Sequence, residues 1–227
     1  MNIEENIKNC EIYLKKIKQY NPDPYYVYYF FNEYIISVKK VLTGILEEAN
    51  RDFGLFILQN ISKKTFLEKA KMKNDVNAKK FMEWYIMRFK KEHENKYPNF
   101  IQKVCEFQNK FRKLPEIKVM IMASCRYEND ICQQVKINLN NEELRSKEEL
   151  NTEIKRQLPI FLEVINHKRR KKNEPKVEEN QVSVSTFLDI DGQGDVEIAR
   201  ASEIYILVMR RLMKESRNKI KEFIRYN

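Results

Sequence analysis

Four glycines and six prolines in 227 residues leave too few turn-makers for an all-β sandwich or barrel, whose many short strands each need one. Most of the fold is therefore expected to be helical. Histidine occurs only at positions 93 and 167, which argues against a histidine-bearing metal site of the di-iron bundle kind. So few glycines also leave no material for a phosphate-cradling loop, and neither a Walker sequence, a G-x-G-x-x-G turn nor a G-x-S-x-G elbow is present. Neither a metal nor a cofactor is expected. No apolar run approaches the roughly 18 residues a membrane span requires, and residues 1–8 mix charges of both signs with no apolar signal core. The expectation is a cytoplasmic protein without a membrane partner. Cys10, Cys105, Cys125 and Cys132 show no C-x2-C pair, so they read as buried or incidental thiols in a reducing compartment.

Positive charge is abundant and unevenly placed. The formal net charge is +10, and residues 63–113 alone carry fifteen Lys and Arg against six Asp and Glu. A field of that sign draws phosphate backbones or acidic protein surfaces. The competing reading is a solvated lysine-rich face. Within this stretch Lys79, Lys80, Lys90, Lys91, Lys110, Arg112 and Lys113 are candidate nucleic-acid contacts. The run Lys168-Arg169-Arg170-Lys171-Lys172 supplies a second, denser set.

Apolar spacing gives the elements. Ile3, Ile7, Cys10, Tyr13, Leu14 and Ile17 recur at three- and four-residue steps, which predicts a helix ending before Asn21-Pro22-Asp23-Pro24. Val27, Phe30, Phe31, Tyr34, Ile35, Val38, Val41, Leu42, Ile45 and Leu46 continue that spacing over five turns, to near Gly54. Residues 60–74 are polar and read as either a short helix or a connector. Asp75 is placed to cap a helix in which Phe81, Trp84, Tyr85 and Phe89 share a face. After a break at Tyr97-Pro98-Asn99, Ile101, Val104, Cys105, Gln108 and Phe111 define another, stopped by Leu114-Pro115.

From Ile117 the period drops to two, with Ile117, Val119, Ile121 and Ala123 alternating with Lys118, Met120 and Met122. Ile131, Val135, Ile137 and Leu139 follow, so residues 116–140 read as a β-hairpin. Asn141 is expected to open a helix through about Ile165, interrupted or kinked at Pro159. Residues 167–181 read as a basic exposed loop. Val182, Val184, Thr186, Leu188 and Ile190 suggest a third strand, and residues 196–225 a closing helix of the same domain as residues 1–115.

Two short motifs invite chemistry. Asp189, Asp191 and Asp195 alternate around Gly192 and Gly194 as in calcium loops, but the twelfth position of an EF-hand counted from Asp189 is Arg200 rather than Glu. A strand-to-helix turn with Asp195 as the helix cap is expected instead. Arg88 and His93 stand five residues apart near a helix end, where an imidazole could move a proton while a guanidinium neutralises phosphate. That is the chemistry of metal-independent RNA cleavage through the 2′-hydroxyl.

Phe31-Asn-Glu-Tyr34, Ser37-Val-Lys-Lys-Val41, Phe81-Met-Glu-Trp84-Tyr85 and Phe107-Gln-Asn-Lys-Phe111-Arg112, in that order, resemble HEPN-type helical proteins over residues 3–115 and the closing helix. The resemblance implies a mainly α helical bundle with the small antiparallel β element inserted before the last helix. Many members are dimeric ribonucleases of toxin–antitoxin or defence systems carrying Arg-x4–6-His; others have lost the motif and serve as binding modules. Where that motif aligns, Arg112 is followed by Lys113-Leu114-Pro115 and no histidine. The resemblance therefore implies a non-catalytic module, homodimeric, that binds RNA or an acidic protein. Arg88 and His93 are its catalytic pair if the site is active, and a structural or assembly role is the third expectation.

Overall fold

The computed structural model describes residues 2–125, 133–139, 147–190, 192 and 194–225. It is mainly helical, with a small antiparallel sheet before the last helix. The order is α1 (Ile3–Tyr20), α2 (Pro24–Asp52), α3 (Lys63–Met72), α4 (Val76–Glu92), α5 (Lys96–Phe111), β1 (Ile117–Cys125), β2 (Gln133–Leu139), α6 (Lys147–Arg170), β3 (Val182–Leu188), β4 (Val196–Glu197) and α7 (Ile198–Arg225). The chain divides into two compact units: Met1–Lys16, Phe30–Leu114 and Ala199–Asn227 form one, Ile17–Tyr29 and Pro115–Ile198 the other.

The first unit is helical, and its core follows the spacing of its apolar residues. Ile3, Ile7 and Cys10 of α1, Phe31, Tyr34, Ile35, Val38 and Val41 of α2, and Ala201, Tyr205, Val208 and Leu212 of α7 are all buried. Burial pushes the Cys10 thiol up to about 12, so it stays protonated and unreactive. Tyr34 donates its hydroxyl proton to the Ser202 carbonyl at 2.8 Å, which satisfies a polar atom the core would otherwise strand. Arg217 of α7 reaches Glu48 of α2 (2.9 and 2.6 Å) and Glu4 of α1. The rings of Phe53, Phe66 and Phe81 meet within 6.5 Å.

Residues 60–74 take the helical alternative. Ser62 and Thr65 close a reciprocal cap, with Thr65 N–H donating to Ser62 Oγ at 3.1 Å and Ser62 N–H to Thr65 Oγ1 at 2.8 Å. Asp75 caps α4 as expected, accepting from Ala78 N–H at 2.8 Å. The break between α4 and α5 falls earlier than expected, at residues 93–95. Pro98 instead sits in the first turn of α5, where its missing N–H has no intrahelical partner to lose.

In the second unit the strands run in the order β2-β1-β3-β4, all antiparallel. Val119, Ile121 and Ala123 of β1 pack with Leu150, Phe161 and Ile165 of α6 and with Val177. Met120 and Met122, on the alternate positions, are also buried and pack with Phe187, so β1 is covered on both faces. Past β4, the rim of β3 is closed by a side chain. Asn21 Oδ1 accepts from Thr186 N–H at 2.9 Å and its amide lies 3.4 Å from the Val184 carbonyl, which imitates a neighbouring strand.

Three expectations in this unit need correction. Asn141 lies outside the described residues, and α6 runs without interruption through Pro159 to Arg170, not to about Ile165. His167, Lys168, Arg169 and Arg170 form its last turn, where cations suit the macrodipole. Consequently the expected exposed loop 167–181 is helical at its start. Its return is packed too, since Asn166 clasps Val177 through both amide and carbonyl (3.0 and 2.8 Å) and Val177 is buried. Lastly, Gly192 and Gly194 do take left-handed angles (φ 66° and 88°), but Asp195 does not cap α7. The two residues of β4 intervene, and Asp195 pairs with Lys118 at 3.3 Å.

Candidate functional site

Arg88 and His93 both sit at the end of α4, His93 as its C-cap residue. Nδ1 of His93 is 2.6 Å from the Phe89 carbonyl and Nε2 is 3.0 Å from the Tyr205 hydroxyl. A carbonyl only accepts, so Nδ1 carries the proton, and Nε2 must then accept from Tyr205. The ring is stacked on Phe89 at 3.9 Å, while the Lys63 ammonium lies 3.4 Å from the same ring's centre. Two groups that close cannot share one face, so Phe89 lies between them. Burial pushes the pKa of His93 down, with the Lys63 charge acting the same way. The imidazole is thus neutral, buried and satisfied at both nitrogens.

Arg88 is engaged elsewhere. Its Nε donates to Glu215 at 2.6 Å, and Nη2 reaches Glu92 at 2.6 Å. Arg211 meets the same Glu92 carboxylate at 3.1 Å. Among the described residues no hydrogen bond joins Arg88 to His93. A cleft of about 640 Å³ is lined by Arg88, Lys91, Glu92, Glu94, Asn95 and Arg211; His93 is not part of its wall. Its cations are largely balanced by carboxylates.

The state of His93 makes stability depend on pH. An unfolded imidazole protonates near pH 6.5, whereas the folded ring resists protonation, so this stability is present above about pH 6.5 and is lost as pH falls below it. Thermal melts between pH 7.5 and 5.5 are expected to show that decline in the wild type, and a flatter profile in His93→Gln. Tyr205→Phe, which leaves Nε2 without its donor, is expected to cost about 1–3 kcal/mol at neutral pH.

Lys79 and Lys80 lie near the start of α4 and Lys90 and Lys91 in its last turn; close to three whole turns set the two pairs on the same side of the helix, about 16 Å apart along the axis, and Lys79 approaches Glu83 at 3.9 Å. In the second unit, Lys168, Arg170, Lys171 and Lys172 are exposed, whereas Arg169 is buried, bonded to the Pro175 carbonyl and paired with Glu174 at 3.3 Å.

Lys110, Arg112 and Lys113 are different. All three are exposed, and among the described residues none pairs with a carboxylate. Between them stands Phe111, which the spacing assigns to the buried stripe of α5 but which is 47% exposed. That stripe ends at Gln108, four residues before the helix stops at Arg112 in a left-handed conformation (φ 59°). Phe107 supports the Phe111 ring from 4.5 Å, and the Lys110 ammonium is 5.0 Å from its centre. Lys39 of α2 joins the group, held by Asn109 at 2.6 Å. Its pKa is lowered chiefly by burial, with the charge of Arg112 acting in the same direction. Lys39 and Phe111 are the members of this cluster that spacing does not single out. Compared with protein-family models, with curated proteins and with solved structures, the chain matches none.

Proposed function

We propose that this chain is a non-catalytic, HEPN-like binding module that engages single-stranded RNA through the end of α5. The observation that carries the reading is the group Lys39, Lys110, Arg112 and Lys113 around the half-exposed ring of Phe111, with no carboxylate to neutralise the last three. Unpaired cations release counterions when they meet phosphate, and an exposed ring offers a face on which an unpaired base stacks. The neutral, buried state of His93 and the two carboxylates on Arg88 favour binding over cleavage.

Fluorescence anisotropy with a labelled single-stranded RNA tests this. Affinity is expected to fall linearly with salt on logarithmic axes. Removing Lys110, Arg112 and Lys113 together (each to Ala) should lower that slope by about two units, at about 0.7 per cation. Phe111→Ala should weaken binding about tenfold with the slope unchanged, as lost stacking does. Salt-insensitive binding would remove the reading. Cleavage of the RNA in EDTA that disappears in His93→Ala would replace it with the ribonuclease reading.

A further inference from the structure

A second surface of the helical unit has a different character. Between α2 and α3 the chain makes a loop whose base is fixed by the buried Leu55 and whose backbone is clasped by Asn50. The Asn50 amide donates to the Ile57 carbonyl at 3.2 Å, and Ile57 N–H donates back to Asn50 Oδ1 at 3.0 Å. Gly54 and Phe56 both take left-handed angles (φ 60° and 58°). Glycine does so freely, whereas a phenylalanine there is strained. Lys73, at the end of α3, holds the loop from the other side, bonding the Gly54 carbonyl at 2.6 Å with its ammonium 4.4 Å from the centre of the Phe56 ring. All this construction presents apolar groups to solvent. Phe56 is 74% exposed and Leu58 92%, and the adjoining α3–α4 turn adds Met72 at 76% and Val76 at 62%.

Strain and clasping that hold a side chain out in water return nothing within the molecule, so the return must come from something that docks. The surrounding charge indicates what. Residues 53–67 contain no Asp or Glu, and residues 54–80 carry seven lysines against two acidic residues. Leu58, Met72 and Val76 have no π face for a nucleobase. A second copy docking symmetrically would set the same lysines against one another. Side chains that stand almost wholly clear of the protein need a deep matching pocket in a protein partner, but none in a fluid lipid interface. We infer that this tip inserts Phe56 and Leu58, flanked by Met72, into the headgroup region of an anionic membrane while Lys64, Lys71, Lys73, Lys79 and Lys80 meet the lipid charges. Such contact lies on the membrane surface and needs no spanning helix.

Sedimentation of the full chain with vesicles tests the inference. Vesicles of phosphatidylcholine with about 30% phosphatidylserine should carry the protein down, and pure phosphatidylcholine vesicles should carry down much less, because the charge term is absent. Phe56→Ser with Leu58→Ser should lower binding to the anionic vesicles at least tenfold, with RNA affinity and melting temperature retained. Leu58→Ser alone, at a side chain too exposed to affect folding, should lower it severalfold. Failure of the wild type to sediment with anionic vesicles would overturn the inference, and so would undiminished sedimentation of the serine variants, which would mean charge alone. A loss of self-association in those variants without any vesicle binding would assign the tip to a protein interface instead. None of these results bears on the RNA reading, which rests on other residues.

Discussion

Phe81→Ala is expected to destabilise the protein by about 4 kcal/mol, in the middle of the range for truncating a buried ring. Phe81 has no exposed surface, and four aromatic rings surround it: Phe53 at 5.5 Å, Trp84 at 5.9 Å, Phe66 at 6.0 Å and Tyr85 at 6.1 Å. These come from the turn after α2, from α3 and from α4 itself, so no single neighbour can move to fill the space without leaving another. Urea unfolding followed by Trp84 fluorescence reads the change, and Phe81→Leu, which keeps much of the volume, should cost less than half as much. A loss below about 1 kcal/mol for Phe81→Ala would mean that the rings close over the cavity, contrary to the packing described.

Asn21→Ala is expected to cost about 3 kcal/mol in the second unit, several times what a surface asparagine is worth. The side chain accepts from both the backbone N–H and the hydroxyl of Thr186 at 2.9 Å, and donates to Ser185 Oγ at 3.1 Å. Thr186 has no exposed surface, so alanine leaves two donors dry and unpaired. Hydrogen exchange at the Thr186 amide should speed up markedly. Asn21→Asp keeps the acceptor and loses the donor, so it should protect that amide nearly as well as asparagine does. Equal exchange in all three proteins would mean that the Asn21 bonds contribute nothing to β3.

The helices were legible because burial and spacing agree there. In α2 Val27, Phe31, Tyr34, Ile35, Val38, Val41, Ile45 and Leu46 do lie inward, with Phe30 and Leu42 half-buried beside them, and the caps at Ser62 and Asp75 have the side chains such caps use. What spacing does not carry is how far a partner extends along a helix. Phe111 keeps the register of the buried stripe but stands beyond its end, so the aromatic centre of the candidate RNA contact read as core. The reverse holds for Arg169, which a run of five basic residues disguised as solvated although Glu174 and the Pro175 carbonyl enclose it. Phe56 and Leu58 fall between the expected helix end near Gly54 and the polar stretch from residue 60, where nothing local announces a left-handed phenylalanine or the Asn50 clasp behind it. The same limit applies to Arg88 and His93, whose spacing is that of a catalytic pair. Their local partners Glu92 and the Phe89 carbonyl are completed by Glu215 and Tyr205, more than a hundred residues later, which no spacing announces.

Those late partners bear on the order of events during synthesis. Tyr34, His93, Arg88, Glu4 and Glu48 all find their polar counterparts between residues 202 and 217, at separations of 112 to 213 residues. Until that stretch leaves the ribosome, the helices already made lack the face that satisfies them. The helical unit is thus bound to complete itself after most of the chain has emerged. Long loop closures of this kind slow folding, and nascent chains stalled before residue 202 should remain sensitive to protease.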